Sequence, residues 1–129
     1  MFPNPPRYAY SQRSSCGRRN FAPVPLKPKS KTPAGGKDWQ HARYATDDLT
    51  AFENCNVGLL LGGPSGGLVD VDLDCPEALS AASLLHRTDM VSGRPSAPKS
   101  HRWYACADAP GKASTPFRDL DGSMLVELR

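Results

Sequence analysis

Two apolar runs, Val57–Leu61 and Leu68–Leu73, flank a Gly/Pro/Ser-rich break at Gly62–Gly67. Short apolar runs bounded by such residues predict a β-hairpin, with glycine supplying the positive-φ positions of the connection. Alternation along the second strand sets Val69, Val71 and Leu73 on one face and Asp70, Asp72 and Asp74 on the other. After Asp74 the period changes from two to helical. Pro76 suits the first helical position and Glu77 complements the helix dipole. Ala78, Leu79, Ala82 and Leu85 then line one stripe of a helix running to about Leu85.

Upstream, Phe21–Leu26 reads as a short strand that Pro23 and Pro25 confine to an edge. Lys27–Lys37 is a basic loop ending at Asp38-Trp39, with Trp39 as a packing anchor. Thr46 has the character of an N-cap: Asp47 and Asp48 follow in the first turn, and Leu49 and Phe52 begin a helical face that closes before Asn56. Downstream, Met90–Ser92 predicts a strand and Gly93–Ser100 a loop with two prolines and two cations. His101–Ala107 alternates like a strand, with His101, Trp103 and Ala105 on one face. Asp108–Asp119 reads as irregular, Asp121-Gly122 as a turn, and Met124–Leu128 as a final strand carrying Glu127. Strand, turn and helix in succession indicate an α/β (α+β) layer arrangement.

Composition changes this picture at the front of the chain. Residues 1–38 hold eight Lys/Arg against one acid, a balance of +7; residues 39–129 hold eight against twelve, a balance of −4, which together give the net +3. Met1–Asn20, rich in Pro, Arg, Ser and Tyr without periodicity, reads as a disordered basic tail, leaving 21–129 as one domain of modest core. The basic front favours a polyanionic partner. Four cysteines, Cys16, Cys55, Cys75 and Cys106, lie far apart with no CxxC pair, which excludes zinc-ribbon spacing and reads as free thiols of a cytosolic protein. No apolar signal region and no run of about 18 apolar residues is present, so a soluble, cytoplasmic protein without membrane contact is expected.

The chemistry concentrates on the Asp face. Asp is a poor strand residue, and its repetition inside a Val/Leu run places mutually repelling carboxylates together, with a divalent cation as the leading candidate to lie between them. The calcium-loop pattern fails, because Cys75 stands at its glycine position and Ala81 at its bidentate glutamate position. Asp70 and Asp72, deepest in the apolar run, are the expected ligands, with Asp74 at the strand end or starting the helix cap. The break at Gly62–Gly67 is no phosphate-binding Walker loop, since no Lys-Ser/Thr follows its last glycine. His101 follows Arg94 and Lys99 in a Pro-stiffened loop, an arrangement suited to gripping a triphosphate. Glu127, on an apolar strand, offers a third carboxylate to the same site.

Asp-x-Asp ending a strand, a loop leading to His, then an acid inside an apolar strand resembles the three-motif core of the archaeo-eukaryotic primase superfamily. The closer resemblance is to the N-terminal primase–polymerase domain of bifunctional replication proteins of phages, plasmids and other mobile elements. It is carried by NVGLLLGGPSGGLVDVDLDCPEAL (56–79), GRPSAPKSHRWY (93–104) and MLVELR (124–129), with PLKPKSKTPAGGKDWQ (25–40) similar to the family's opening Lys-Pro…Trp segment. The resemblance implies a mixed β-sheet flanked by helices with an RRM-related core, and a DNA primase/polymerase activity using Mg²⁺ or Mn²⁺. By its motifs Asp70, Asp72 and Glu127 bind metal and His101 contacts the incoming NTP or dNTP. Ser100 adjoins His101 where the family often has Ser-x-His, and Ser96 lies further upstream, so which serine serves stays open. Family members continue beyond the third motif, so the chain looks truncated at its C-terminus and activity of this stretch alone is not implied. Arg94 and Lys99 would assist at the triphosphate, and Lys29, Lys31 and Lys37 would guide a DNA template or primer. A helicase is a natural companion.

Two other classes use the same features differently. A non-catalytic single-stranded nucleic-acid-binding module needs stacking aromatics on one sheet face, yet Trp103 and Tyr104 are adjacent and point to opposite faces. A metal-dependent nuclease or phosphohydrolase would use the same carboxylates, and nucleotide-dependent primer extension separates it from a polymerase.

Overall fold

The computed structural model of the chain describes residues 21–45, 49–108 and 114–129. The basic tail, with Cys16, and the Thr46 cap lie outside the described residues. The chain forms two units, Met1–Leu60 with Pro64–Gly66 and Leu61–Gly63 with Gly67–Arg129.

In the first unit β1 (Pro23–Leu26) pairs antiparallel with β2 (Asn56–Leu59) in a two-stranded sheet. Both strands are edges, which is why Pro23 and Pro25 are tolerated. Ala22, Val24, Leu26 and Leu60 form the core, and Trp39 packs against it as the anchor the sequence predicts. Each fully buried aliphatic side chain of this kind contributes about 1.5–3 kcal/mol relative to exposure. A single 3₁₀ turn, Thr50–Phe52, stands where a short helix was expected, and its Phe52 is fully buried edge-on to Tyr44 at 5.1 Å between ring centroids.

The second unit is a five-stranded antiparallel sheet in the order β4-β5-β3-β7-β6, built from β3 (Leu68–Leu73), β4 (Val91–Arg94), β5 (Ala97–Ala105), β6 (Thr115–Arg118) and β7 (Met124–Leu128). Helix α1 (Pro76–Ser80) follows β3 and tightens into a 3₁₀ segment, Ala81–Leu84. Pro76 opens the helix as expected, and the Cys75 thiol caps it by accepting from the Ala78 N–H at 3.3 Å. Leu73, Ala78 and Ala82 form the core, joined by Val71, Leu79, Leu85 and Val126. The apolar face of β3 is therefore the one the helix covers. This is the mixed α+β architecture expected, with every strand pairing among the described residues antiparallel.

Three local expectations are corrected. The two apolar runs do not form a hairpin: β2 pairs with β1, β3 with β5 and β7, and only an isolated Gly62–Leu68 bridge remains between the runs. The intervening Gly63–Ser65 forms a 3₁₀ turn whose buried Ser65 hydroxyl accepts from the Ala22 N–H and donates to the Leu60 carbonyl, tying the turn to the first unit. Gly67 (φ +81°) lies so close to β5 that a Cβ there would sit 2.2 Å from the Cys106 carbonyl oxygen. Secondly, Gly93–Ser100 is not a loop but a tight β4–β5 hairpin with a register shift, so Lys99 and Ser100 are strand residues. Thirdly, the stretch read as irregular contains β6, an edge strand whose exposed residues and Pro116 leave no alternating apolar pattern to read.

Candidate metal and nucleotide site

The site lies wholly in the second unit, on the face of the sheet opposite the helix. Central β3 has β5 on one side and β7 on the other. Its register sets Asp70 opposite Trp103, and Asp72 opposite both His101 and Glu127. Asp70 also exchanges two backbone bonds with Arg129, N–H to O at 2.8 and 2.9 Å. Directly opposed residues in an antiparallel ladder project to the same face. Period-two alternation on three strands thus gathers Asp70, Asp72, His101, Trp103, Glu127 and Arg129.

His101 Nδ1–H donates to the Asp70 carboxylate, 2.9 Å to Oδ2 and 3.1 Å to Oδ1, and lies 3.6 Å from Asp72 Oδ1. Its ring stacks against Trp103 at 6.0 Å between centroids and 27° between planes. The indole is fixed in turn, its Nε1–H donating to Ser92 Oγ at 2.9 Å. Arg129 extends its guanidinium among the acids: it pairs with Asp72 Oδ2, lies 3.4 Å from Asp70 Oδ2, and brings Nε to 3.8 Å from Glu127 Oε2. Asp70 is only 3 % exposed and Asp72 8 %. Burial pushes the Asp72 carboxyl above its ordinary range; His101 and Arg129 oppose that shift, while Asp74 and Asp70 add to it.

Potential ligand atoms converge in two groups that share Asp72. Within each group they lie within 4.8 Å of one another: Asp70, Asp72 and His101 in one, Asp72, Asp74 and Glu127 in the other. Carboxylate oxygens, with one imidazole beside them, form a donor set that could hold a divalent cation. The convergence of these carboxylates on one face is the observation by which the residues fit a divalent cation.

The sequence-predicted residues divide clearly. Asp70, Asp72, His101 and Glu127 come together. Ser100 is buried and, as the strand neighbour of His101, points to the opposite face. Arg94 and Lys99 are exposed on the β4–β5 hairpin, outside the cluster. Lys29, Lys31 and Lys37 are exposed in the first unit. Asp74 is not the helix cap, which is Cys75; its carboxylate belongs to the second acidic group. Arg129 is the residue that sequence reasoning missed. It stands two positions after Glu127, so alternation alone was enough to place it on the same face.

The family model of the Prim-Pol domain, the N-terminal domain of bifunctional DNA primase/polymerases, matches residues 14–129. That match covers most of the chain, which belongs to the Prim-Pol family, the N-terminal domain of bifunctional DNA primase/polymerases. No curated protein matches it.

Proposed function

We propose that this chain, over 21–129, belongs to a primase–polymerase domain that performs template-dependent nucleotidyl transfer in replication of a phage, plasmid or other mobile element. The observation that carries the reading is the meeting of Asp70, Asp72, Glu127 and His101 on one face of a single sheet. Asp70, Asp72 and Glu127 would hold Mg²⁺ or Mn²⁺, with Asp74 beside them and Asp72 shared between two positions. Such ions, when bound, lower the charge barrier to attack of a 3′-hydroxyl on an α-phosphate and to departure of pyrophosphate.

The chain's own residues do the positioning. Asp70 holds His101 by Nδ1 and Trp103 supports the ring, so Nε2 is the nitrogen left to meet a phosphate oxygen of an incoming NTP or dNTP. Arg94 and Lys99 on the adjoining hairpin supply further positive charge for the triphosphate, while Ser100, on the other face, is given no phosphate contact. Lys29, Lys31 and Lys37 are assigned to template phosphates. A helicase would be the natural companion. No described helix is long and apolar enough to cross a membrane; the proposed place of work is on DNA in the cytoplasm.

The test is primer synthesis by the full-length protein on single-stranded template, with labelled nucleotides and Mg²⁺ or Mn²⁺. Wild type should make template-dependent products and Asp70→Ala/Asp72→Ala should not. Degradation of template without incorporation would instead assign the carboxylates to a nuclease.

A further inference from the structure

The guanidinium of Arg129 occupies the position in this site that calls for positive charge. It pairs with Asp72, lies within salt-bridge distance of Asp70 and Glu127, and so touches every carboxylate assigned above to metal. Its backbone is pinned by the two reciprocal bonds to Asp70, so the Cα stays with the sheet while the long side chain, 30 % exposed, retains a path outward. The fork is incompletely satisfied where it lies: Nε is buried without a hydrogen-bond partner, 3.8 Å from Glu127. A guanidinium held chiefly for structure would be expected to have its donors matched. This one is held by the surrounding charge.

We infer that Arg129 is a resident counter-ion of the metal site. In the metal-free protein its single positive charge offsets part of the charge of Asp70, Asp72 and Glu127, and it must leave the Asp72 oxygen for a divalent cation to bind there. One oxygen lone-pair region cannot serve both the guanidinium and the ion, and two cations side by side repel. Arg129 therefore sets a threshold on metal affinity: carboxylates that would otherwise bind a divalent ion readily do so only by displacing a tethered competitor. The inference rests on the metal-site reading above and concerns a residue outside it.

The test is a Mn²⁺ titration of chelator-stripped full-length protein without nucleotide, followed by the electron paramagnetic resonance of free Mn²⁺. Arg129→Gln keeps the reach of the side chain and removes its charge. It should bind Mn²⁺ about tenfold more tightly than wild type, equivalent to about 1.4 kcal/mol. Arg129→Lys should stay near wild type. Equal or weaker binding by Arg129→Gln overturns the inference, weaker binding being what a purely structural pin would give. Asp70→Ala/Asp72→Ala is run in parallel. If it binds Mn²⁺ as wild type does, the metal-site reading itself fails. Should Arg129→Gln not fold, wild-type protein suffices: Mg²⁺ must shift the ¹⁵N resonance of Arg129 Nε, and an unmoved resonance at saturating Mg²⁺ contradicts the exchange.

Discussion

Asp72 and Glu127 stand directly opposite each other in the β3–β7 ladder, two acids from distant parts of the chain in one cross-strand pair. Like charges so placed destabilise a sheet, and here Asp72 faces His101 across its other ladder and has Asp70 and Asp74 as same-face neighbours. Arg129 and His101 offset part of that repulsion, and a divalent cation bound there would offset more.

Stability should carry the mark of that cost. Burial raises the Asp72 carboxyl above its ordinary range, so in the metal-free protein the folded state binds this proton more tightly than the unfolded state does. Its contribution is thus fully present below the ordinary carboxylate range and is lost as pH rises through the raised value. Asp72→Asn, neutral throughout, should be more stable than wild type at neutral pH, with the advantage shrinking as pH falls toward the carboxylate range. Thermal melts in chelator across that range measure it. A wild type more stable than the variant at neutral pH would contradict the assignment.

Trp103 holds His101 from one side while Ser92 holds Trp103. Trp103→Phe keeps a ring beside the imidazole and loses one hydrogen bond, worth about 1 kcal/mol of stability. Trp103→Ala releases the imidazole. The expected outcome is a near-normal KM for nucleotide in Trp103→Phe and a rise of roughly tenfold, about 1.4 kcal/mol, in Trp103→Ala. Steady-state extension kinetics with varied nucleotide distinguish them.

The basic loop should act through charge alone. Removing Lys29, Lys31 and Lys37 together should weaken binding of single-stranded DNA alike for all sequences and reduce the slope of log K against log salt by about 2, given roughly 0.7 per phosphate contact on single strands. Fluorescence anisotropy at several salt concentrations reads both. An unchanged slope would place the DNA elsewhere.

Much of the site was legible because period-two alternation is a local property. It put Asp70 and Asp72 on one face, His101 with Trp103, and Glu127 on a strand whose bounds are those observed. Partner choice was not legible in the same way. Val57–Leu61 reads as half of a hairpin, yet β2 takes β1 as its partner, because the break between the runs is anchored by the buried Ser65 hydroxyl rather than closed as a two-residue turn. Nothing in the local pattern encodes which distant strand a run will join. Asp74 stands at the strand end, one of the two places open to it in the sequence, while the Cys75 thiol takes the cap, which a strand-end acid before Pro76 does not announce. β6 escaped notice because an exposed edge strand buries too little apolar surface to leave a pattern.

In the proposed function, carboxylates from two separate strands form one metal site for nucleotidyl transfer. Glu127→Gln tests it most directly, since it removes a single charge from β7, keeps the side chain's shape, and leaves Asp70 and Asp72 untouched. In template-dependent primer extension by the full-length protein, loss of a metal ligand should cost at least about a hundredfold, the upper end of what loss of an outer-shell partner costs, with a melting transition in chelator no lower than that of wild type. Extension at the wild-type rate would contradict the account.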